Sequence, residues 1–520
     1  MEENAQFSSE AQPAGDASYK WRVLATVVVG LFMVILDSTV INVALKSLQQ
    51  HYAVSTSESQ WVISLYTLAL GIATPLSGFL GDRFGVKRIY LLGLALFVLG
   101  SLLCGFAPSL ALLIGARAIQ GIGGGISLPL GTALLFRAFP PRERGAAFGI
   151  FGIVLVFAPA IGPLLGGWLV DHDLLSWIFF LNLPIGIIGL TIGTLFLHEA
   201  PGSAKVRADI PGIILSALGF GSILFATSIA GEQGSGWTDP RVIAGLVIGL
   251  LALVVFSIVE LRAPDPLMDL RLFRIPSFAI ANVASMVGTI ALFGAEFLLP
   301  LYLQILRGQS AFQAGLILLP LAIASAFSSF LAGRIADRIG PRVPIVLGFI
   351  LIAYNTYQFA QIKIDTSITF IMFLLVVRGL AVGLIIQNSQ IAALLDVPLS
   401  RLNRATPLVQ ATRQTMQSIG VAVLATILTA AITISMPKNI PSGGDISKLP
   451  APARQAALNG IHQFQSQYIT GLEHAYMATF VIALVAILLS IFLPGWPGKY
   501  QSSSKKEAQA AEQQQPSHVG

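Results

Sequence analysis

Gly78-Phe-Leu-Gly-Asp82-Arg83-Phe-Gly85 lies between two apolar runs, and 255 residues later the pattern returns as Gly333-Arg-Ile-Ala-Asp337-Arg338-Ile-Gly340. A second echo follows in the same order. Ala116-Arg117, followed by Gly121 and Gly123, is matched 261 residues on by Val377-Arg378, followed by Gly379 and Gly383. Two echoes at nearly one offset imply two similarly folded halves, related by an axis along the membrane normal if the chain lies in a bilayer.

Composition places it there. Of 520 residues, 55% are hydrophobic and 11% charged, and the mean hydropathy is +0.78. Soluble proteins carry roughly 25% charged residues, so too little polar surface is left here to cover a water-exposed fold. A helix needs about 20 mostly apolar residues to cross the hydrocarbon core. On that scale about fourteen spans are predicted: 21–45, 60–80, 89–107, 109–136, 145–169, 175–197, 209–230, 240–262, 277–304, 312–334, 342–361, 367–395, 405–436 and 475–493. Six helices with short loops take about 190 residues at this spacing. The excess in the repeat offset therefore matches spans seven and eight, an inserted pair. The predicted fold class is all-α integral membrane, two six-helix bundles plus that pair. The expected organisation is an N-terminal tail (1–20), a first bundle (21–197), the linker and inserted pair (198–276), a second bundle (277–493) with an aqueous outer loop at 437–474, and a disordered polar tail (494–520).

The formal charge is +6. A basic balance suggests nucleic acid, but here the cations sit in short loops, where membrane orientation explains them better. With the N-terminus inside, 21 of the 31 Lys and Arg fall on inner segments, seven on outer segments, and Arg117, Arg378 and Arg413 within spans. That bias predicts both termini in the cytoplasm and a multi-pass protein of the plasma (inner) membrane. The first 20 residues lack a signal-peptide pattern. The single cysteine, Cys104, excludes an intramolecular disulfide and a cysteine-ligated zinc site. No nucleotide-binding motif, metal cluster or nucleophile–base arrangement stands out, and Gly121 to Gly125 lack the Lys-Ser/Thr of a phosphate loop. The chain is expected to be no enzyme and to use no cofactor or metal, drawing energy from an ion gradient. Its expected partners are the lipid bilayer, protons and a small-molecule substrate, with no nucleic acid; a monomer is the default reading.

At this point the motifs resemble the major facilitator superfamily. Gly78 to Arg88 (GFLGDRFGVKR) is similar to its loop 2–3 signature, and Leu113 to Gly124 (LIGARAIQGIGG) to its fourth-helix signature. Gly152 through Gly162-Pro163-Leu-Leu-Gly166-Gly167 resembles the fifth-helix motif of antiporters. Leu36-Asp37 through Asn42 to Leu45, Trp177-Ile-Phe-Phe-Leu-Asn182-Leu-Pro184 and Asp209-Ile-Pro-Gly212 are similar to the fourteen-spanner drug:proton antiporter group, the EmrB/QacA type. The resemblance covers residues 20–495 and implies proton-driven export of amphipathic, often cationic, drug-like compounds by alternating access. A dedicated exporter of one metabolite or antibiotic, and a proton symporter, stay open as alternatives.

Candidate site residues follow from burial and from these motifs. Asp37 lies mid-span, where an acid is costly unless it meets a cavity or a partner. Burial disfavours the charged form of a carboxyl group, which brings proton exchange toward neutral pH. The other reading is a structural carboxylate locked to an arginine. Counting from the outer helix ends puts Arg117 at the same depth, about 12 Å at 1.5 Å per residue, making it the expected partner, with Gln120 one turn further in and Asn42 on the same helix as Asp37. Glu296 is the second intramembrane acid, open between a second proton site, a drug anchor and a neutraliser of Arg378 or Arg413. Gln387 and Asn388 line a cavity or bond between helices, and Tyr66 is among the aromatics available for an apolar wall. For Gly78, Asp82, Arg83, Gly85 and Arg88 the resemblance implies a charge latch between helix ends, made in one conformation and broken in the other, with Asp337 and Arg338 as its counterpart. Positive-inside anchoring is the alternative. Gly152, Gly162, Pro163, Gly166 and Gly167 are expected to allow close helix approach and a flexible seam between the halves.

Overall fold

A computed structural model of the protein describes residues 18–199, 207–230, 237–295, 298–432 and 451–493. All regular elements among them are helical. In chain order they are α1 (Tyr19–Tyr52), α2 (Thr56–Phe84), α3 (Val86–Gly105), α4 (Leu110–Ala138), α5 (Arg144–Asp171), α6 (Trp177–Phe196, with a turn at Leu181), α7 (Ile210–Ala230), α8 (Pro240–Arg262), α9 (Pro276–Leu306), α10 (Ala311–Ile339), α11 (Arg342–Ala360), α12 (Ile368–Leu394), α13 (Leu402–Ala430) and α14 (Ala451–Ile491). Among the described residues, thirteen of these are long and apolar enough to cross a bilayer. The exception is α13, whose 29 residues include Arg404, Arg413 and several amides. It packs between α2, α7, α9 and α14, so protein rather than lipid surrounds its polar groups.

The internal repeat is visible in the helix ends. Ser55 caps α2 and Ser310 caps α10, each in a capping box with Glu58 or Gln313 three residues on. The same helices end at Gly85 (φ 99°) and Gly340 (φ 86°), a backbone region that favours glycine. Start and stop are thus both displaced by 255 positions, as in the sequence echo.

The glycines of the second echo set how closely helices cross. A Cβ on Gly121 would lie 2.4 Å from the Tyr66 carbonyl oxygen, and one on Gly125 2.4 Å from that of Leu70. In the second half, Gly379 and Gly383 stand in the same way 2.3 and 2.5 Å from the carbonyl oxygens of Leu321 and Ser325. Close approach therefore pairs Gly121 with Gly379 and Gly125 with Gly383, an offset of 258 rather than 261. Arg117 lies four residues before its glycine and Arg378 one, so the arginines are not at equivalent positions.

Two further expectations are corrected. The aqueous loop at 437–474 gives way to helix from Ala451 onward. Its Ala, Gln and Leu residues favour helix, and Pro452 sits in the first turn, where no intrahelical donor is lost. Residues 433–450, both chain tails and Glu296 lie outside the described residues. The fifth-helix glycines do not all face the seam between the halves. Gly162 and Gly166 pack on Thr39 and Val40 of α1, in the same half, while a Cβ on Gly167 would meet nothing within 4 Å. Gly152 alone of the motif touches the other half, against Gln387. The helix runs on through Pro163, from Arg144 to Asp171.

Of the two inserted helices, α7 sits between the halves and α8 packs on α7. α7 packs on α2, with Ser228 hydrogen-bonded to Ser64 at 2.8 Å, and on α13, with Thr227 bonded to Ser418 at 2.6 Å. Trp237 donates from its indole to Thr426 of α13 as well.

Candidate functional site

Asp37 is enclosed at 1% exposure by donors from other helices. Its Oδ2 accepts from Nη1 of Arg117 at 2.5 Å. Its Oδ1 accepts from Nε2 of Gln120 at 2.8 Å and Nδ2 of Asn182 at 2.7 Å. Arg117 also donates from Nε to the Val62 carbonyl at 3.1 Å and from Nη1 to Oε1 of Gln120 at 2.6 Å. Gln120 in turn donates to Ser101 at 2.7 Å. The Arg117 guanidinium stacks 4.1 Å above the Tyr66 ring.

Backbone contacts explain why these side chains converge. Arg117 and Gln120 lie three residues apart on α4 and so share a face. Gly121 lets α4 press on α2, which brings Arg117 to the Val62 carbonyl and the Tyr66 ring. A Cβ on Gly100 would stand 2.7 Å from the Gln120 backbone nitrogen, so glycine there brings α3 close enough for Ser101 to reach Gln120. Asn182 enters from the turn in α6. Arg117 Nη2 and Asn182 Oδ1 are buried without a protein partner. The structure thus brings together Asp37, Arg117 and Gln120. Asn42 is exposed, five residues along α1, and takes no part. Five residues are about 500° of helix turn, which swings it off the face that carries Asp37. Sequence reasoning misses Asn182 and Ser101 as site residues; the motif around Trp177 contains Asn182, but nothing in its spacing tells that it faces Asp37. Tyr66 lies beneath the arginine rather than on an apolar wall.

The second polar group lies on α12 and α13. Arg378 donates from Nη2 to the Leu292 carbonyl at 2.6 Å. Asn388 donates to Leu384 of its own helix at 2.8 Å, and both polar atoms of buried Gln387 lack a partner. Arg413 is part-buried and forms no ion pair or hydrogen bond with a described residue.

At the face where α1 begins, Arg137 donates to the Leu399 carbonyl at 3.3 Å across the halves, and two carboxylates join them as well. Asp82 accepts from Asn403 at 2.6 Å and from Nε of Arg404 at 3.0 Å. Asp337 accepts from the backbone nitrogens of Gly145 and Ala146, at 2.7 and 2.9 Å, at the start of α5, where a helix terminus favours an anion. Gly78 permits the first contact, since its Cβ would lie 2.2 Å from the Asn403 carbonyl oxygen. Arg404 also approaches Asp265, beyond the inserted pair, at 3.5 Å. Asn403 and Arg404 belong to no repeat, so the sequence gives no signal for them. Arg88 corrects the expectation: it pairs with Glu199 at 3.4 Å, just past the end of α6, and not with the second half. Its helix start points it toward the end of α6, away from α13. Arg338 is exposed, and Arg83 stacks on its neighbour Phe84. Among the described residues, the hydrogen bonds between the first six and last six helices run from this face to the middle, ending at Gln414 and the Thr67 carbonyl at 3.5 Å.

A family model described as Major Facilitator Superfamily matches residues 27–425. The chain belongs to the major facilitator superfamily. It is 31% identical over 481 residues to the lincomycin resistance protein LmrB of Bacillus subtilis (strain 168), covering 92% of this chain and 97% of that one. It is 30% identical over 495 residues to the multidrug resistance protein B homolog of Mycobacterium tuberculosis (strain ATCC 25618 / H37Rv), covering 93% and 91%. The crystal structure of the human organic anion transporter MFSD10 (TETRAN) superposes with a TM-score of 0.62 at 15% identity, covering 92% of this chain and all of that one. At that identity the likeness is one of fold. The protein is therefore a multi-pass transporter of this superfamily.

Proposed function

We propose that this superfamily member is a proton-coupled antiporter of the fourteen-spanner drug-exporter group, carrying amphipathic or cationic drug-like molecules out across the plasma membrane. Both termini face the cytoplasm, so the face closed by Asp82 and Asp337 is the cytoplasmic one and this conformation is closed toward the cell interior. The reading rests on one observation above the others: Asp37 is a buried acid whose every donor comes from other transmembrane helices. Protonating it removes the counter-charge of Arg117. Leaving a buried charge uncompensated costs about 3–5 kcal/mol, enough to reorder α1, α4 and α6 and to bias a two-state equilibrium by several orders of magnitude. The names of the LmrB and multidrug resistance relatives support export of drug-like molecules.

In an efflux-deficient bacterium, wild-type protein is expected to lower accumulation of a cationic dye, with loss of the effect on adding an uncoupler. Asp37→Asn, at wild-type membrane abundance, is expected to abolish it. Uncoupler-sensitive efflux at the normal rate in Asp37→Asn would sink the proton-site assignment.

A further inference from the structure

Three arginines lie inside the transmembrane helices at the core of the two halves, and they are compensated unequally. Arg117 meets Asp37. Arg378 meets the Leu292 carbonyl. Arg413 lines a cleft between α9, α12 and α13 with the hydroxyl residues Ser285, Thr289 and Ser389. None of these four side chains makes a hydrogen bond or ion pair with a described residue. Neighbouring hydroxyls behave otherwise: Thr412 and Thr415 on the same helix bond back to Leu408 and Ala411. A guanidinium and three hydroxyl residues thus line one cleft, each with donor capacity to spare, as an incomplete coordination shell would.

From this we infer that the cleft is an oxyanion subsite, which takes a carboxylate- or phosphate-type group borne by the transported compound. The planar guanidinium fork matches two oxygens of such a group, and the hydroxyls supply donors to its remaining lone pairs. The rest of the lining is apolar, with Leu292 and Ile385 among it; in this conformation the cleft has room for about one water, so an anion with an apolar body attached enters only as the cleft opens. Substrates would then include zwitterions and organic anions, and not cations alone. This rests on the transporter reading above, but not on proton coupling.

The test is equilibrium binding to the full chain in lipid nanodiscs, with 1-naphthoate as anionic probe, 1-naphthylmethylammonium as its cationic counterpart and acetate as the bare head group. Wild-type protein is expected to bind naphthoate. Arg413→Gln is expected to raise its Kd about tenfold or more, the usual cost of losing a charge-assisted hydrogen bond, and to shift the ratio of naphthoate to ammonium affinity toward the cation. Arg413→Lys is expected to fall between. Should Arg413→Gln fail to fold, Thr289→Val and Ser389→Ala keep the charge and are expected to weaken naphthoate severalfold. The inference is overturned by absence of naphthoate binding, by a Kd within twofold of wild type in Arg413→Gln and Thr289→Val alike, or by acetate binding as tightly as naphthoate. Binding needs no gradient, so a protein that binds naphthoate through Arg413 yet shows no uncoupler-sensitive efflux counts against the antiport reading alone.

Discussion

The two halves of the molecule share a frame and differ in what they bury inside it. α2 and α4 cross as α10 and α12 do, with glycines against carbonyl oxygens at matching places and with capped ends 255 residues apart. Each half also buries an arginine. In the first half Arg117 is held by a carboxylate, Asp37, on α1. In the second, Arg378 is held by the backbone carbonyl of Leu292 on α9, a position 255 residues beyond Asp37. Where the first half has a titratable group the second has an apolar side chain. Packing needs are common to both halves, and they keep the glycines in register. On the antiport reading a proton site is needed once, which accounts for an acid at this position in one half alone.

The contrast between the arginines sets the size of what mutation does. Asp37→Leu leaves Arg117 buried without its counter-charge and is expected to destabilise the protein by about 3–5 kcal/mol, read as a lowered unfolding temperature in detergent. Asp37→Leu combined with Arg117→Met removes both charges and is expected to recover most of that loss while leaving efflux dead. If the double variant is no more stable than the single one, the pair is not what couples α1 to α4. Arg378→Met is expected to cost less, under about 2 kcal/mol, because its hydrogen bond to the Leu292 carbonyl is to an uncharged group. An effect as large as that of Asp37→Leu would show that the halves are held alike after all. The smallest effects belong to the contacts of Asp82 and Asp337 at the face where α1 begins. Arg404→Gln and Asp337→Asn are each expected to change stability by less than about 1 kcal/mol. Each is expected to raise hydrogen exchange at its own seam, at the start of α13 for Arg404→Gln and at the start of α5 for Asp337→Asn. Equal rises at both seams in either variant would mean that the two contacts open as one unit.

Much of this molecule is legible in its residues. Long apolar runs with few charges dictate membrane helices, because an unpaired backbone group or a charge in hydrocarbon costs several kcal/mol. The Gly78 and Gly333 echoes expose the two halves, because a helix end that needs a glycine with positive φ tolerates little else. The pairing of Asp37 with Arg117 follows from equal depth. Other features are not legible, for reasons that differ. The helix from Ala451 to His474 contains enough polar residues to read as loop, and helix propensity in a polar stretch leaves no hydropathy signal. The partners of Asp82, Asn403 and Arg404, lie on a helix more than 320 residues from it and follow no repeat. Asn42 and Arg88 sit inside motifs yet point elsewhere, since a motif conveys residue types but not the azimuth of each around its helix.

By itself, then, the chain determined its solvent, its helices, its twofold repeat and the presence of costly buried charges, all of which depend on local composition and periodicity. Which charges meet, which stay unpaired and at which face the halves touch were decided by tertiary structure alone. Those outcomes depend on helix rotation and crossing, set by glycine contacts such as Gly121 on Tyr66 and Gly145 on Gly333. One residue along a helix turns a side chain by about 100°, enough to carry it out of reach of a partner. Asn182 therefore joins the Asp37 shell from a different helix, while Asn42, on the same helix as Asp37, stays outside it.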